Sequence, residues 1–116
     1  NKKVAHLAKL LLNHGVPSAV SLVSPYLENR ENAREIIAAG DQFAECYVKC
    51  SLEKCEERDV KGMYAKARKG EIKGFTGIDD PYEAPEKADL VVDTEHDSLS
   101  DSAQKVKDFL KGRNLL

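Results

Sequence analysis

The sequence predicts an α/β fold in which a parallel sheet is covered by helices on both faces. Three observations point there. Segments with the 3.6-residue apolar period of helices alternate with short runs that lack it. Those runs are almost continuously apolar, as strands buried on two faces are. Glycine, proline and serine punctuate the joins where helices start and stop.

Val4, Leu7, Ala8, Leu11 and Leu12 follow the spacing of a helix with one buried face. Gly15 is placed to end it in a left-handed turn, and Pro17 prevents its continuation. Residues 18–23, bounded by Pro17 and Pro25, read as a buried strand. Residues 28–39 return to helical spacing, with Ala33, Ile36 and Ile37 inward and Gly40 as the cap. Residues 43–50 form the second expected strand. Two short helices follow at 52–58 and 63–69, the second closed by Gly70. Residues 71–87 hold no period and are rich in Gly, Pro and Asp, so a loop is expected. A loop of that length in a compact domain is usually functional. Residues 90–93 are the third strand. Ser98 and Asp101 make an S-x-x-D capping box. The helix it opens turns Ala103, Val106, Phe109 and Leu110 to the core. The crossovers between parallel strands should be right-handed. Doubly wound domains normally begin with a strand, so this helix-first order is read as a missing N-terminal part.

The 116 residues suit one domain, 1–116, with a modest core. A charged fraction of 33% beside 41% hydrophobic residues fits a globular chain. A net charge of −2 gives no general attraction to nucleic acid or to an anionic membrane. No apolar run approaches the roughly 20 residues that span a bilayer. The first residues carry no secretory pattern, so a cytoplasmic setting is expected. Cys46, Cys50 and Cys55 form no C-x-x-C motif and have no histidine near them in sequence; they read as buried or semi-buried thiols, with a metal site as the weaker alternative. His6, His14 and His96 show no ligand spacing and no nucleophile partner.

Ligands of such sheets bind beyond the carboxyl ends of the strands. Ser24 directly follows the first expected strand. It can face a ligand there, or it can serve only to stabilise the turn at Pro25. From Arg58 to Lys73, six basic side chains (Arg58, Lys61, Lys66, Arg68, Lys69 and Lys73) face two acids. From Gly74 to Asp89, five acids face the single Lys87. Such a basic stretch suits phosphate oxygens and a closing lid, although many charge runs are simply solvated faces. Phe75, between Gly74 and Thr76-Gly77, can stack on a purine or anchor the loop in the core. Arg58 can stack on a second adenine. Asp79-Asp80 is not taken as a metal site, since loop acid pairs are commonly solvated or used as caps.

At these residues the chain resembles a known family. Arg58-Asp-Val-Lys-Gly-Met-Tyr and Lys66-Ala-Arg-Lys-Gly-Glu-Ile-Lys-Gly-Phe-Thr-Gly-Ile-Asp79 resemble the signature of adenylylsulfate kinases. So do Ser21-Leu-Val-Ser-Pro-Tyr26, the following Arg30 and Ala33-Arg34, and Tyr82-Glu-Ala-Pro85. The resemblance implies a P-loop kinase-like fold and transfer of the ATP γ-phosphate to the 3′-hydroxyl of adenosine 5′-phosphosulfate. It implies ATP and Mg²⁺ as cofactors, a homodimer, and no nucleic-acid or membrane partner. It implies that Val23 and Ser24 contact the substrate, Ser24 matching the family's active-site serine. Lys61 would bind ligand phosphates, and Gly74 and Phe75 the substrate adenine. Arg58 and the loop ending at Asp97 would lie near the ATP adenine. No metal ligand is expected in this chain.

The departures matter as much. No phosphate-cradling G-x-x-x-x-G-K-[ST] motif occurs in the 116 residues, nor the family's acidic D-G-D-N segment. Lys49-Cys-Ser51 stands where many members have Asp-Thr-Pro. The expectation is therefore the C-terminal portion of a kinase domain, inactive alone. The alternative is a kinase-like binding or regulatory subunit that never carried the loop.

Overall fold

The computed structural model describes residues 1–37 and 42–115. Five helices and two strands are seen among them. They are α1 (Lys2–Asn13), α2 (Leu27–Ile37), β1 (Cys46–Lys49), α3 (Leu52–Arg58), α4 (Met63–Arg68), β2 (Leu90–Asp93) and α5 (Leu99–Gly112). The strands pair in parallel, Cys46 opposite Leu90 and Lys49 opposite Asp93. Parallel pairing sets both carboxyl ends at one edge, and α3, α4 and the long loop together form the crossover. Helix α5 packs on β2, and α1 packs on α2.

Each helix end has a local cause. Ser51 caps α3 by accepting the Lys54 N–H, and Ser98 caps α5 by accepting that of Asp101. The Ser98 hydroxyl also donates to the Asp101 carboxylate at 2.6 Å, completing the expected box. Gly15 turns left-handed just after α1, and Gly70 does the same after α4. The expected end of α2 at residue 39 and its Gly40 cap lie outside the described residues.

Four expectations change. Residues 18–23 are not a strand but an irregular segment, with Val20, Leu22 and Val23 about half exposed or more. A strand needs a ladder partner, and the described sheet is β1 and β2 alone. The second strand is shorter than 43–50, because its partner offers only four residues of ladder. Leu7 points outward, at 56% exposure, while Ala5 and Ala8 are buried. On α5, Ser102 rather than Ala103 is buried.

The core is thin. The buried apolar side chains among the described residues are Ala5, Ala8, Ala67 and Val92. The radius of gyration is 15.8 Å, against about 13 Å for a compact chain of ~100 residues. Polar ties do much of the joining. Arg30, on α2, pairs with Glu45 at 2.8 Å and also donates to the carbonyls of Ser24 at 2.7 Å and Glu83 at 2.6 Å. Asp89 takes the Glu45 N–H at 2.7 Å and pairs with Arg34 and Arg113. Burial pushes the Asp89 carboxyl up, but these donors bring it below its ordinary value.

Candidate functional site

The carboxyl edge of the two strands is held together by the segments that leave it. Thr94 donates to the Lys49 carbonyl through both its N–H and its hydroxyl, at 2.9 and 3.0 Å. Glu95 accepts the Ser51 N–H at 2.9 Å, and that bond draws the Glu95 carboxyl below its usual range. Arg58, in the last turn of α3, donates to the Thr94 carbonyl at 2.6 Å and reaches Cys50 Sγ at 3.7 Å. Asp97 donates its N–H to the Asp93 carbonyl, and its carboxylate pairs with Lys105. Arg58 and the loop from Thr94 to Asp97 thus meet at one edge.

The basic stretch runs through a tight turn and a short helix. Gly62 adopts φ 64°, a left-handed conformation that suits glycine. Asp59 caps α4 from a distance, accepting the N–H groups of Tyr64 and Ala65 at 3.0 Å each. Burial raises the Asp59 carboxyl, and those N–H groups with that of Met63 bring it below its ordinary value. Arg68 is spent on Glu56 of α3. Lys61 is exposed, and among the described residues it pairs with no acid. An open cleft of about 330 Å³ lies beside it, lined by Cys55, Arg58, Val60, Met63 and Tyr64 among others.

Phe75 stands at the head of a turn built by Asp79. The Asp79 carboxylate accepts the N–H groups of Gly74 at 2.8 Å and Phe75 at 2.6 Å. Those two bonds hold the Asp79 carboxyl below its usual range. The Phe75 carbonyl accepts the N–H groups of Ile78, Asp79 and Asp80. The Phe75 ring is half-buried, edge-on to Tyr64 of α4 with centroids 4.9 Å apart. Gly77, at φ 88°, backs onto α3 so closely that a Cβ would sit 3.1 Å from Leu52 Cδ1.

Ser24 is one of two non-glycine residues with a left-handed φ, above 20°, among the described residues, at 42°. Such strain costs about 1–3 kcal/mol and persists where surrounding structure dictates it. Here the Arg30 guanidinium grips the Ser24 carbonyl. The next residues are fastened to the Phe75 loop. Tyr26 donates its hydroxyl to both Asp80 oxygens at 2.7 Å, Glu83 donates its N–H to the Pro25 carbonyl at 2.8 Å, and Leu27 donates to the Glu83 carboxylate at 2.6 Å. Val23, before the strained residue, is 67% exposed.

The comparisons with known proteins bear on this arrangement. The family model described as adenylylsulphate kinase matches residues 1–93. The chain belongs to the adenylylsulfate kinase family. It is 44% identical over 110 residues to an adenylyl-sulfate kinase of Staphylococcus epidermidis, covering 95% of this chain and 55% of that one. It is 44% identical over 115 residues to one of Oceanobacillus iheyensis, covering 99% and 57%. The chain thus spans little more than half the length of these relatives. Among solved structures, the APS kinase of Mycobacterium tuberculosis in complex with AMPPNP and APS superposes with a TM-score of 0.88 at 43% identity. That match covers 95% of this chain and 64% of the other. The fold is therefore that of the adenylylsulfate kinases, an α/β fold of the P-loop kinase type with a parallel sheet and helices.

Within this family chain, the structure gathers the residues singled out from sequence into three groups: Arg58 with the Asp97 loop, Lys61 on the α3–α4 turn, and Ser24 fastened to the Phe75 loop. Sequence reasoning missed the fasteners. Asp59, Asp79, Asp80 and Glu95 all accept donors from other parts of the backbone or from Tyr26. An Asp just ahead of a helix, and an Asp four residues after a glycine-flanked Phe, were the available signals. The thiols divide: Cys46 is exposed, while Cys50 and Cys55 are half-buried. His96 bonds Asp93 at 3.1 Å, a local structural role.

Proposed function

We propose that this chain is the portion of an adenylylsulfate kinase that binds the acceptor and covers the nucleotide sites. In the reaction, the 3′-hydroxyl oxygen of adenosine 5′-phosphosulfate attacks the γ-phosphorus of ATP. The bond from that phosphorus to the β,γ-bridging oxygen breaks, ADP leaves, and the hydroxyl proton is released. Val23 and Ser24 contact the phosphosulfate, and Gly74 and Phe75 hold its adenine. Lys61 supplies charge to ligand phosphates, while Arg58 and Asp97 flank the ATP adenine. The observation that carries the reading is the strained Ser24 fastened, through Tyr26 and Asp80, to the loop bearing Phe75. That arrangement, in a chain 44% identical to adenylyl-sulfate kinases, supplies a polar end and an aromatic end for one nucleotide.

ATP chemistry of this kind usually involves Mg²⁺. Among the described residues, no group of three or more His, Cys, Asp or Glu side chains is disposed to hold a metal. Asp79 and Asp80 are committed to N–H and O–H donors. The described residues do not fit a Mg²⁺ cage.

Phosphate cradling by backbone N–H groups at a helix N-terminus is the main source of β/γ-phosphate binding in P-loop enzymes. The 116 residues hold no such motif. The chain alone is therefore expected to bind adenosine 5′-phosphosulfate without phosphorylating it. Calorimetry should detect binding, and a coupled assay should detect no phosphosulfate-dependent ADP formation. Turnover at ordinary kinase rates would overturn the second statement, and absent binding the first. The same reading carries a homodimer, which sedimentation velocity checks.

A further inference from the structure

Neither acid of the Asp79-Asp80 pair is simply solvated, and the two point their bonds in different directions. Asp79 turns back onto its own loop and fixes the N–H groups of Gly74 and Phe75. Asp80 reaches across 54 residues of sequence to the Tyr26 hydroxyl. Its backbone is part of the Phe75 turn: its N–H donates to the Phe75 carbonyl at 3.3 Å, and its carbonyl accepts the Gly77 N–H at 2.7 Å. Tyr26 stands two residues after the strained Ser24. One short path therefore runs from Ser24 through Tyr26 and Asp80 into the turn that presents Phe75. The parallel tie between the Pro25 carbonyl and the Glu83 N–H keeps the two segments from sliding past one another.

We infer that Tyr26, Asp79 and Asp80 act together as positioning residues that fix the spacing between Ser24 and Phe75, and so select a purine nucleotide long enough to engage both. The inference rests on the reading that Ser24 and Phe75 serve one ligand. A ligand with an adenine alone touches only the aromatic end and gains nothing from the fixed spacing. A ligand with an adenine and a 5′-anionic group engages both ends and depends on it. A bound geometry fixed in advance avoids the ordering cost of assembling it on binding.

Tyr26→Phe removes one oxygen and leaves the ring. Two readouts on the 116-residue chain separate the claims. Without ligand, amide exchange at Gly77 and Asp80 should quicken along with that at Glu83, while α5 amides stay unchanged. No quickening at Gly77 and Asp80 overturns the brace whatever the ligand does. With ligand, affinity for adenosine 5′-phosphosulfate should fall about tenfold, the scale of one lost hydrogen bond to a charged group. Affinity for adenosine should be unchanged. Equal losses for both ligands, or none for either, overturn the selective role. Quickened exchange in a chain that binds neither ligand leaves the brace standing and overturns the reading of Ser24 and Phe75 as one site. Asp79→Asn provides a second variant: it should quicken exchange at Gly74 and Phe75, and slow exchange there would overturn its part.

Discussion

At the residue scale, the turn at Phe75 shows how a few backbone bonds aim one ring. Phe75→Ala should weaken binding of adenosine 5′-phosphosulfate by about 1–3 kcal/mol if the ring stacks on the base. Calorimetry beside an unchanged circular dichroism spectrum checks this. A larger residue at Gly77 is disfavoured on two counts. Its φ of 88° and the 3.1 Å approach to Leu52 work against any Cβ. Gly77→Ala should cost about 1–3 kcal/mol, read as a lower urea midpoint. The Asp79 bonds add a pH dependence of known sign. Its carboxyl lies below its ordinary value because Gly74 and Phe75 donate to it. A lowered folded value contributes stability above the unfolded value of about 3.9, and that stability is lost as pH falls through the folded value. Exchange at the Gly74 and Phe75 amides, corrected for intrinsic rate, should therefore quicken at acid pH. Asp79→Asn should abolish that pH response.

At the element scale, helix starts were the most legible features. The S-x-x-D pattern before α5 is local chemistry, and the structure realises it with Ser98 and Asp101. Ser98→Ala should lower stability by about 1 kcal/mol, within the usual range for a cap, measured by denaturant unfolding. Strands were less legible. Residues 18–23 have strand composition, yet they are irregular, because a ladder is a property of two segments and not of one. Periodicity also overstated Leu7 and Ala103. The apolar stripe marks a face of roughly the right width, but which residues on it are covered depends on the partner. On α1, which packs on α2, Ala5 and Ala8 are buried while Leu7 is exposed.

At the scale of the whole molecule, a thin apolar core is supplemented by polar ties between distant segments. Arg30 is the clearest case. Its guanidinium joins α2, the strained Ser24, the loop at Glu83 and Glu45 ahead of β1. Removing one partner of a largely buried ion pair typically costs about 3–5 kcal/mol. Arg30→Ala should therefore approach unfolding, with the largest loss of amide protection at Leu27 and Glu83. A urea titration followed by exchange checks both.

By itself the sequence determined the order of helices, the parallel α/β character, the long loop and the family signature. These rest on local spacing, caps and turn residues, which act over a few positions. Tertiary structure alone decided that Ser24 is strained, that 18–23 is not a strand, and that Asp80 is tied to Tyr26 across the molecule while Asp79 holds the Gly74 and Phe75 N–H groups. The physical reason is common to all three. Each depends on a donor, acceptor or ladder partner, or on a grip such as that of Arg30, whose position is set by the folded backbone. Composition names the groups available for such bonds, and only the fold brings them within reach.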